Sequence, residues 1–292
     1  MPTLRKSTPD NAGHAVDPGR LRVPEITALF WAIKILTTGM GETLSDFLGT
    51  HGSDILNAAA ILLVFGAVFA VQFRVRRYIP AVYWACVAMV SVLGTVVADV
   101  AHAVVGIPYI ATSVFFAVAV AVILALWHRN TGSLDVHTIT ARAPELYYWA
   151  TVMATFALGT ALGDLTASSL HLGYLASTIL FAVVIVIPLI AWRRGASPVL
   201  TFWAAYVVTR PLGASAADWM ADPTSKSGVG WGTGPVTSAW LAAIVVLVAI
   251  VAVGQRRSTN TEPAEAGSAR EPADLDRATK PDVMTRVPGH RS

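Results

Sequence analysis

The chain has 292 residues, of which 54% are hydrophobic and only 13% charged, against roughly 25% charged in soluble domains. Its formal net charge of +3 comes from Lys and Arg placed mostly in terminal and connecting stretches, which excludes a nucleic-acid-binding patch and reads as a membrane-topology signal. Cys86 is the single cysteine, so an intrachain disulfide and cysteine-rich redox or metal chemistry are excluded too.

In chain order, residues 1–24 mix Arg, Lys, Pro, Asp and Gly without periodicity. No apolar run follows the first charges as a cleaved signal peptide requires, so a disordered cytoplasmic tail is expected. Apolar stretches long enough to cross a bilayer core are then expected at Ile26–Leu48, Ile55–Phe73, Pro80–Val104, Ile107–Trp127, Pro144–Leu170, Tyr174–Trp192, Pro198–Met220 and Pro235–Gly254. Residues 258–292 lack an apolar face and are expected to form a second disordered tail. The fold class is therefore an all-α integral membrane protein, with eight transmembrane helices in a membrane domain at 25–255.

Each pair of spans ends in basic residues: Arg74, Arg76 and Arg77; His128 and Arg129; Arg193 and Arg194; Arg256 and Arg257. The opposite loops hold almost none, Lys226 excepted, so the positive-inside rule places both termini in the cytoplasm. Trp31, Trp84, Trp127, Trp149, Trp192 and Trp203 fall near span ends and are expected as interfacial anchors. Glu145 opens the fifth span, where the helix dipole favours an acidic side chain.

One stretch recurs four times without a gap: Phe30–Asp46, Tyr83–Asp99, Tyr148–Asp164 and Phe202–Asp218. Every copy has an aromatic residue, Trp-Ala, a Gly at the twelfth position and an Asp at the seventeenth. Such a repeat dictates the architecture. All copies enter the membrane in the same direction, giving four tandem helical hairpins as parallel repeats. A pseudo-fourfold bundle with the first helix of each hairpin inside is one solution, and a 2+2 arrangement is another.

Positions five, nine, thirteen and seventeen of the repeat are four apart and form one helix stripe. The stripes read Lys34, Thr38, Glu42, Asp46; Val87, Ser91, Thr95, Asp99; Val152, Phe156, Thr160, Asp164; and Tyr206, Arg210, Ala214, Asp218. Ionisable groups inside hydrocarbon face a bundle interior or a water-filled cavity, so the stripes are expected to face one another. Five acidic groups against Lys34 and Arg210 as counter-charges leave negative charge for a small cation or protons to balance. Thr38, Ser91, Thr95 and Thr160 would add hydroxyl oxygens to the carboxylates of Asp46, Asp99, Asp164, Asp218 and Glu42, a donor set for hard cations. His51, His102 and His171 lie a few residues beyond three of the Asp residues, and imidazole beside carboxylate suits a divalent transition metal or a proton relay.

Structural roles stand beside each of these. The Asp residues would serve as helix-end caps, Gly41, Gly94, Gly159 and Gly213 as packing positions for close helix approach, the His residues as interfacial side chains, and Lys34 and Arg210 as parts of a buried ionic network. Arg210-Pro211 would free backbone carbonyls in mid-membrane, as broken-helix binding sites do.

In KILTTGMGETLSD and its echo YWATVMATFALGTALGD, over about residues 25–255, the chain resembles a family of uncharacterised bacterial multi-pass "membrane-anchored" proteins with four tandem two-helix repeats. The resemblance implies the eight-span architecture and an inner-membrane location, and no catalytic residue. Without a nucleotide-binding loop or a hydrolase or metalloprotease signature, the expected function is gradient-driven transport or export of a small cation, in the first instance a divalent metal, with the lipid bilayer as the other partner. Its rivals are a non-catalytic membrane partner and an enzyme acting on a lipid-phase substrate.

Overall fold

A computed structural model of the chain describes residues 21–75 and 77–268, of which 257–268 by backbone alone. The described residues are helical, with no strand among them. The helices are α1 (Ala28–Thr50), α2 (Asp54–Arg74), α3 (Pro80–Asp99), α4 (Tyr109–Thr131), α5 (Arg142–Asp164), α6 (Gly173–Val184), α7 (Val186–Arg193), α8 (Pro198–Ala221) and α9 (Thr233–Ser268). Six stretches are long and apolar enough to cross a membrane: α2, α3, α4, α5, the α6–α7 pair and the first part of α9. Length and composition make these membrane-like helices, as in a membrane protein. Helices α1 and α8 fall outside that set because they carry the charged stripe positions.

Local chemistry sets the ends. Thr27 caps α1 by accepting from the Phe30 amide at 3.3 Å, as an N-cap hydroxyl does. Asn57 donates to the carbonyls of Leu48 and His51, both at 2.7 Å, and so satisfies groups that a helix C-terminus leaves open. Pro80 and Pro198 open their helices in the first turn, where a missing N–H costs nothing. Pro188 cannot donate to Val184, and the sixth expected span accordingly breaks at Ile185 into α6 and α7. Single π turns, Val100–Val104 and Leu165–Ser169, extend α3 and α5 directly after Asp99 and Asp164.

The chain divides into two units, Met1–Ala249 and Ile250–Ser292. In the first, α1, α3, α5 and α8, the first helix of each repeat, form a closed ring in the order α1–α3–α5–α8–α1. This is the pseudo-fourfold solution. The second helices lie outside and each packs on the inner helix of the next repeat: α2 on α3, α4 on α5, α6 and α7 on α8. The start of α9 completes the circle on α1, with Trp240 over Gly39 and Thr237 donating to Thr43 at 2.8 Å. In the second unit the described residues continue α9 to Ser268.

The repeat glycines explain the ring. Gly41 faces Ser91, Gly94 faces Phe156, Gly159 faces Arg210 and Gly213 faces Thr38, and at each a Cβ would overlap the facing atoms. Position twelve of every inner helix therefore receives position nine of the next one. A small residue is what lets membrane helices come this close.

Three expectations need correction. Trp84, Trp149 and Trp203 are buried, not interfacial, because the repeat's aromatic pair sits on the inner helices where rings from neighbouring repeats meet, and Trp127 of the outer helix α4 is buried against Tyr148 and Trp203. Phe30 packs on Trp84 at 5.7 Å, Tyr83 on Trp149 at 5.5 Å and Tyr148 on Trp203 at 6.3 Å, while Trp192 alone of the six is largely exposed. Within the stretch expected as tail, the described residues Leu21 and Arg22 make contacts: Tyr78 donates its amide to the Leu21 carbonyl at 2.8 Å, and Arg22 forms an ion pair with Glu145. Glu145 is thus a buried partner, also bonded by Gln72 at 3.0 Å, and not only a first-turn charge. Residues 1–20, 269–292 and Arg76 lie outside the described residues, and the stretch expected as tail from 258 is helical to Ser268.

Two variants test this frame by thermal unfolding in detergent. Gly159→Ala should destabilise by about 1–3 kcal/mol through overpacking, whereas Gly66→Ala, whose Cβ would meet nothing within 4 Å, should stay within about 0.5 kcal/mol. Arg22→Ala leaves the Glu145 carboxylate buried without its cation and should cost about 3–5 kcal/mol, with Glu145→Gln partly restoring stability on that background.

Candidate functional site

The stripes of the four repeats do line the axis of the ring, and they stack in layers. At one end lie the aromatic pairs, where the Tyr83 and Tyr148 hydroxyls bond each other. Next comes position five, where the Lys34 ammonium sits 3.8 Å from the centre of the Tyr206 ring and donates to the Tyr206 carbonyl at 2.7 Å and to the Thr209 hydroxyl. That carbonyl is next to Val207, whose carbonyl loses its helical donor at Pro211.

At position nine Arg210 crosses the axis. Its guanidinium lies 3.2 Å over the Phe156 ring and donates to Thr38 Oγ1 and to the Tyr206 hydroxyl, both at 2.9 Å. Ser91 donates to the Thr38 carbonyl at 3.2 Å. Arg210 is 0% exposed and its Nε has no partner. Arg210 and the Phe156 ring together fill the axis at this level.

At position thirteen Glu42, 4% exposed, is held by hydroxyls alone. Its Oε2 lies 3.0 Å from Thr95 Oγ1 and 2.8 Å from Thr160 Oγ1, and the two hydroxyl oxygens are 3.1 Å apart. Three repeats thus meet in one triangle of oxygens. Ala214, the fourth member of the layer, adds no polar atom.

Position seventeen supplies Asp46, Asp99, Asp164 and Asp218. Asp46, Asp99 and Asp164 lie within electrostatic reach of Glu42, and Asp218 within reach of Glu42, Asp46 and Asp164, while Asp222 outside the stripe lies near Asp46, Asp164 and Asp218. Ser45 lies 3.3 Å from Asp99 Oδ2 and donates to it, and the Tyr109 hydroxyl faces Asp164. The Asp218 side chain is buried, 6% exposed. No basic side chain forms an ion pair with any of these five groups among the described residues, where the ion pairs are Arg22 with Glu145, His137 with Asp135 and Lys226 with Asp222.

Lys34 and Arg210, expected as counter-charges, therefore pair with no carboxylate. The reason is register: both sit two or three stripe layers from the Asp level, and each finds oxygens and ring faces at its own height. The expected metal-ligand set of Asp46, Asp99, Asp164, Asp218, His51, His102 and His171 is also not assembled. No group of three His, Cys, Asp or Glu side chains able to hold a metal occurs among the described residues. His51 stacks on Phe47 at 4.2 Å with Nδ1 at the Phe47 carbonyl, and His102 stacks on Tyr109 at 3.6 Å with Nδ1 at the Ile107 carbonyl. His171 is exposed in a left-handed turn, φ 55°.

The family described as Repeat of Unknown Function (DUF347) matches this chain four times, at residues 29–78, 82–133, 147–196 and 201–257. The chain belongs to the DUF347 repeat family. Each DUF347 repeat is one hairpin of the ring, beginning at the inner helix and ending at the basic end of the outer one. No curated protein and no solved structure matches the chain.

Several side chains at this site are not on the inner-helix stripe and were not read from it. Tyr109 and Tyr174 stand near the starts of α4 and α6 and reach the carboxylate cluster from outside the ring. Their equivalent placement, just after the non-basic turns of repeats two and three, is the signal for them. Ser45 and Thr209 were legible only once the ring order was known.

Thr95→Val with Thr160→Val removes both hydroxyls from Glu42 while conserving shape. The pair should lower thermal stability by about 2–4 kcal/mol, the size of two hydrogen bonds to an acidic group, and adding Glu42→Leu should recover most of it.

Proposed function

We propose that this protein is a secondary transporter of a small cation in the inner membrane of a bacterium, with Glu42 and the Asp quartet as its intramembrane site and protons as the coupling or transported ion. The reading rests on five carboxyl groups from four repeats gathered at one end of the ring axis with no cation paired to them. Uncompensated charges of one sign in a membrane interior are costly, so bound cations or protons would complete the cluster. The Glu42 triangle favours the proton in particular. Two threonine hydroxyls supply two protons for three oxygen–oxygen edges, and a proton on Glu42 would supply the third.

The spread of the carboxyl groups favours a proton or a partly hydrated ion over a metal stripped of water and ligated directly. Arg210 and Phe156 would form the barrier between this site and the aromatic end. Eight spans would follow if α1 and α8 cross with the six apolar stretches, their charges facing the ring interior. The basic ends of the hairpins would then lie in the cytoplasm with both termini, and the carboxylate cluster would open toward the far side. No bond-making chemistry and no nucleic-acid partner is assigned.

Ion flux in proteoliposomes tests the reading, screened over Mn²⁺, Zn²⁺, Mg²⁺, Ca²⁺, Na⁺ and K⁺ with and without a pH gradient, beside a pH dye in the lumen. The wild-type protein should move one ion with a linked proton flux. Glu42→Gln and Asp164→Asn should each slow it at least about tenfold, equivalent to about 1.4 kcal/mol in the barrier. Flux in the variants equal to wild type, or no flux above empty liposomes for any ion, would overturn it.

A further inference from the structure

Away from the carboxylate cluster, at the opposite end of the ring, lies a cleft of about 570 Å³ between α1, α7, α8 and the loop after α4. That volume is in the range of small-molecule sites, about 300–1,000 Å³. Its walls are apolar, formed by Trp31, Phe202, Val186, Leu189 and Trp192 among others. Several of these also face outward: Leu189 and Trp192 are exposed on α7, so the cleft opens sideways, where a membrane helix meets lipid.

The cleft has a local origin. Outer helices α2 and α4 run unbroken past their inner neighbours, as does α9 to Ala249, whereas the outer helix of repeat three breaks at Ile185 because of Pro188. Ile185, Val186, Pro188, Leu189 and Trp192, at and after that interruption, form the α7 wall of the cleft. Directly after the lining residue Trp192 come Arg193 and Arg194, both exposed. Asp135, the acidic side chain in the lining, is paired with His137 at 2.9 Å, so the exposed arginines next in the chain are available to an anionic group.

We propose that this cleft binds one phospholipid with an anionic headgroup, an acyl chain between Trp31, Phe202 and Leu189 and the phosphate at Arg193 and Arg194. Apolar walls open to the bilayer fit an acyl chain. A basic rim at the end of the spans where basic residues collect is the chemistry that selects anionic lipid headgroups. The site is also placed to act on the ring. Thr209 lines the cleft and at the same time bonds the Lys34 ammonium across the α1–α8 contact, so an occupying chain lies against the seam where the first and last repeats meet.

Native mass spectrometry of the full-length protein titrated with phosphatidylglycerol or phosphatidylcholine tests the proposal. The wild-type protein should retain one phosphatidylglycerol and favour it over phosphatidylcholine. Arg193→Ser and Arg194→Ser should each reduce that preference about fivefold, the effect of one basic residue near a lipid headgroup. Ala205→Trp, which fills the cleft from α8, should remove the bound lipid whatever its headgroup, with circular dichroism confirming an unchanged helical fold. Inorganic phosphate at millimolar concentration should not displace the lipid. Equal retention of the two lipids by the wild-type protein, or a phosphatidylglycerol preference unchanged in both arginine variants, would overturn the proposal. So would displacement by phosphate alone, or lipid retained in folded Ala205→Trp.

Discussion

The ring depends on how closely four helices can approach. At Gly41, Gly94, Gly159 and Gly213 the backbone of one inner helix takes in the position-nine side chain of the next. With no hydrophobic drive between helices in lipid, such packing and the polar bonds it permits hold the bundle. Everything on the axis follows from that distance. Arg210 can reach Thr38 on α1 while its own Cβ lies against Gly159 of α5, and Glu42 can touch hydroxyls from two other repeats, because no bulk intervenes.

On this symmetric frame the chemistry is lopsided. Position five holds one Lys, position nine one Arg and position thirteen one Glu, and each is bonded by uncharged oxygens or ring faces, most of them from other repeats. A buried cation over tyrosine and phenylalanine rings keeps its charge in an apolar setting through the ring quadrupole. A buried acid held by two threonines is kept in place by hydrogen bonds. The positive groups and the negative groups therefore occupy separate heights along the axis. Along the stripe, Lys34 and Arg210 lie toward the aromatic end and Glu42 with the four Asp residues toward the other.

Much of this was legible in the sequence. The repeat of Phe30, Tyr83, Tyr148 and Phe202 through to the four Asp residues fixed the number of hairpins and which helix of each faces inward, since a stripe with period four can face only one way. The shared neighbourhood of the carboxyl groups follows from the same register. Partner choice was not legible. Charge counting pairs Lys34 and Arg210 with carboxylates, but height along a helix outranks charge, and at about 1.5 Å per residue the layers stand too far apart. The tryptophans misled for a related reason: Trp84, Trp149 and Trp203 are near span ends in sequence, yet they sit on inner helices whose neighbours cover them. Arg22 and Glu145 lie 123 positions apart, and nothing local announces that pairing.

The way the outer helices are shared has a consequence for how such a chain is made. Each second helix shields the inner helix of the following repeat, and the circle closes only when Thr237 and Trp240 of α9 reach Thr43 and Gly39 of α1. Of the described helices, α1 is thus made well before the α9 residues that cover it. Until then its Lys34 and Glu42 have neither Tyr206 nor Thr160 to bond, so the buried charges of α1 are satisfied by segments that follow it in the chain.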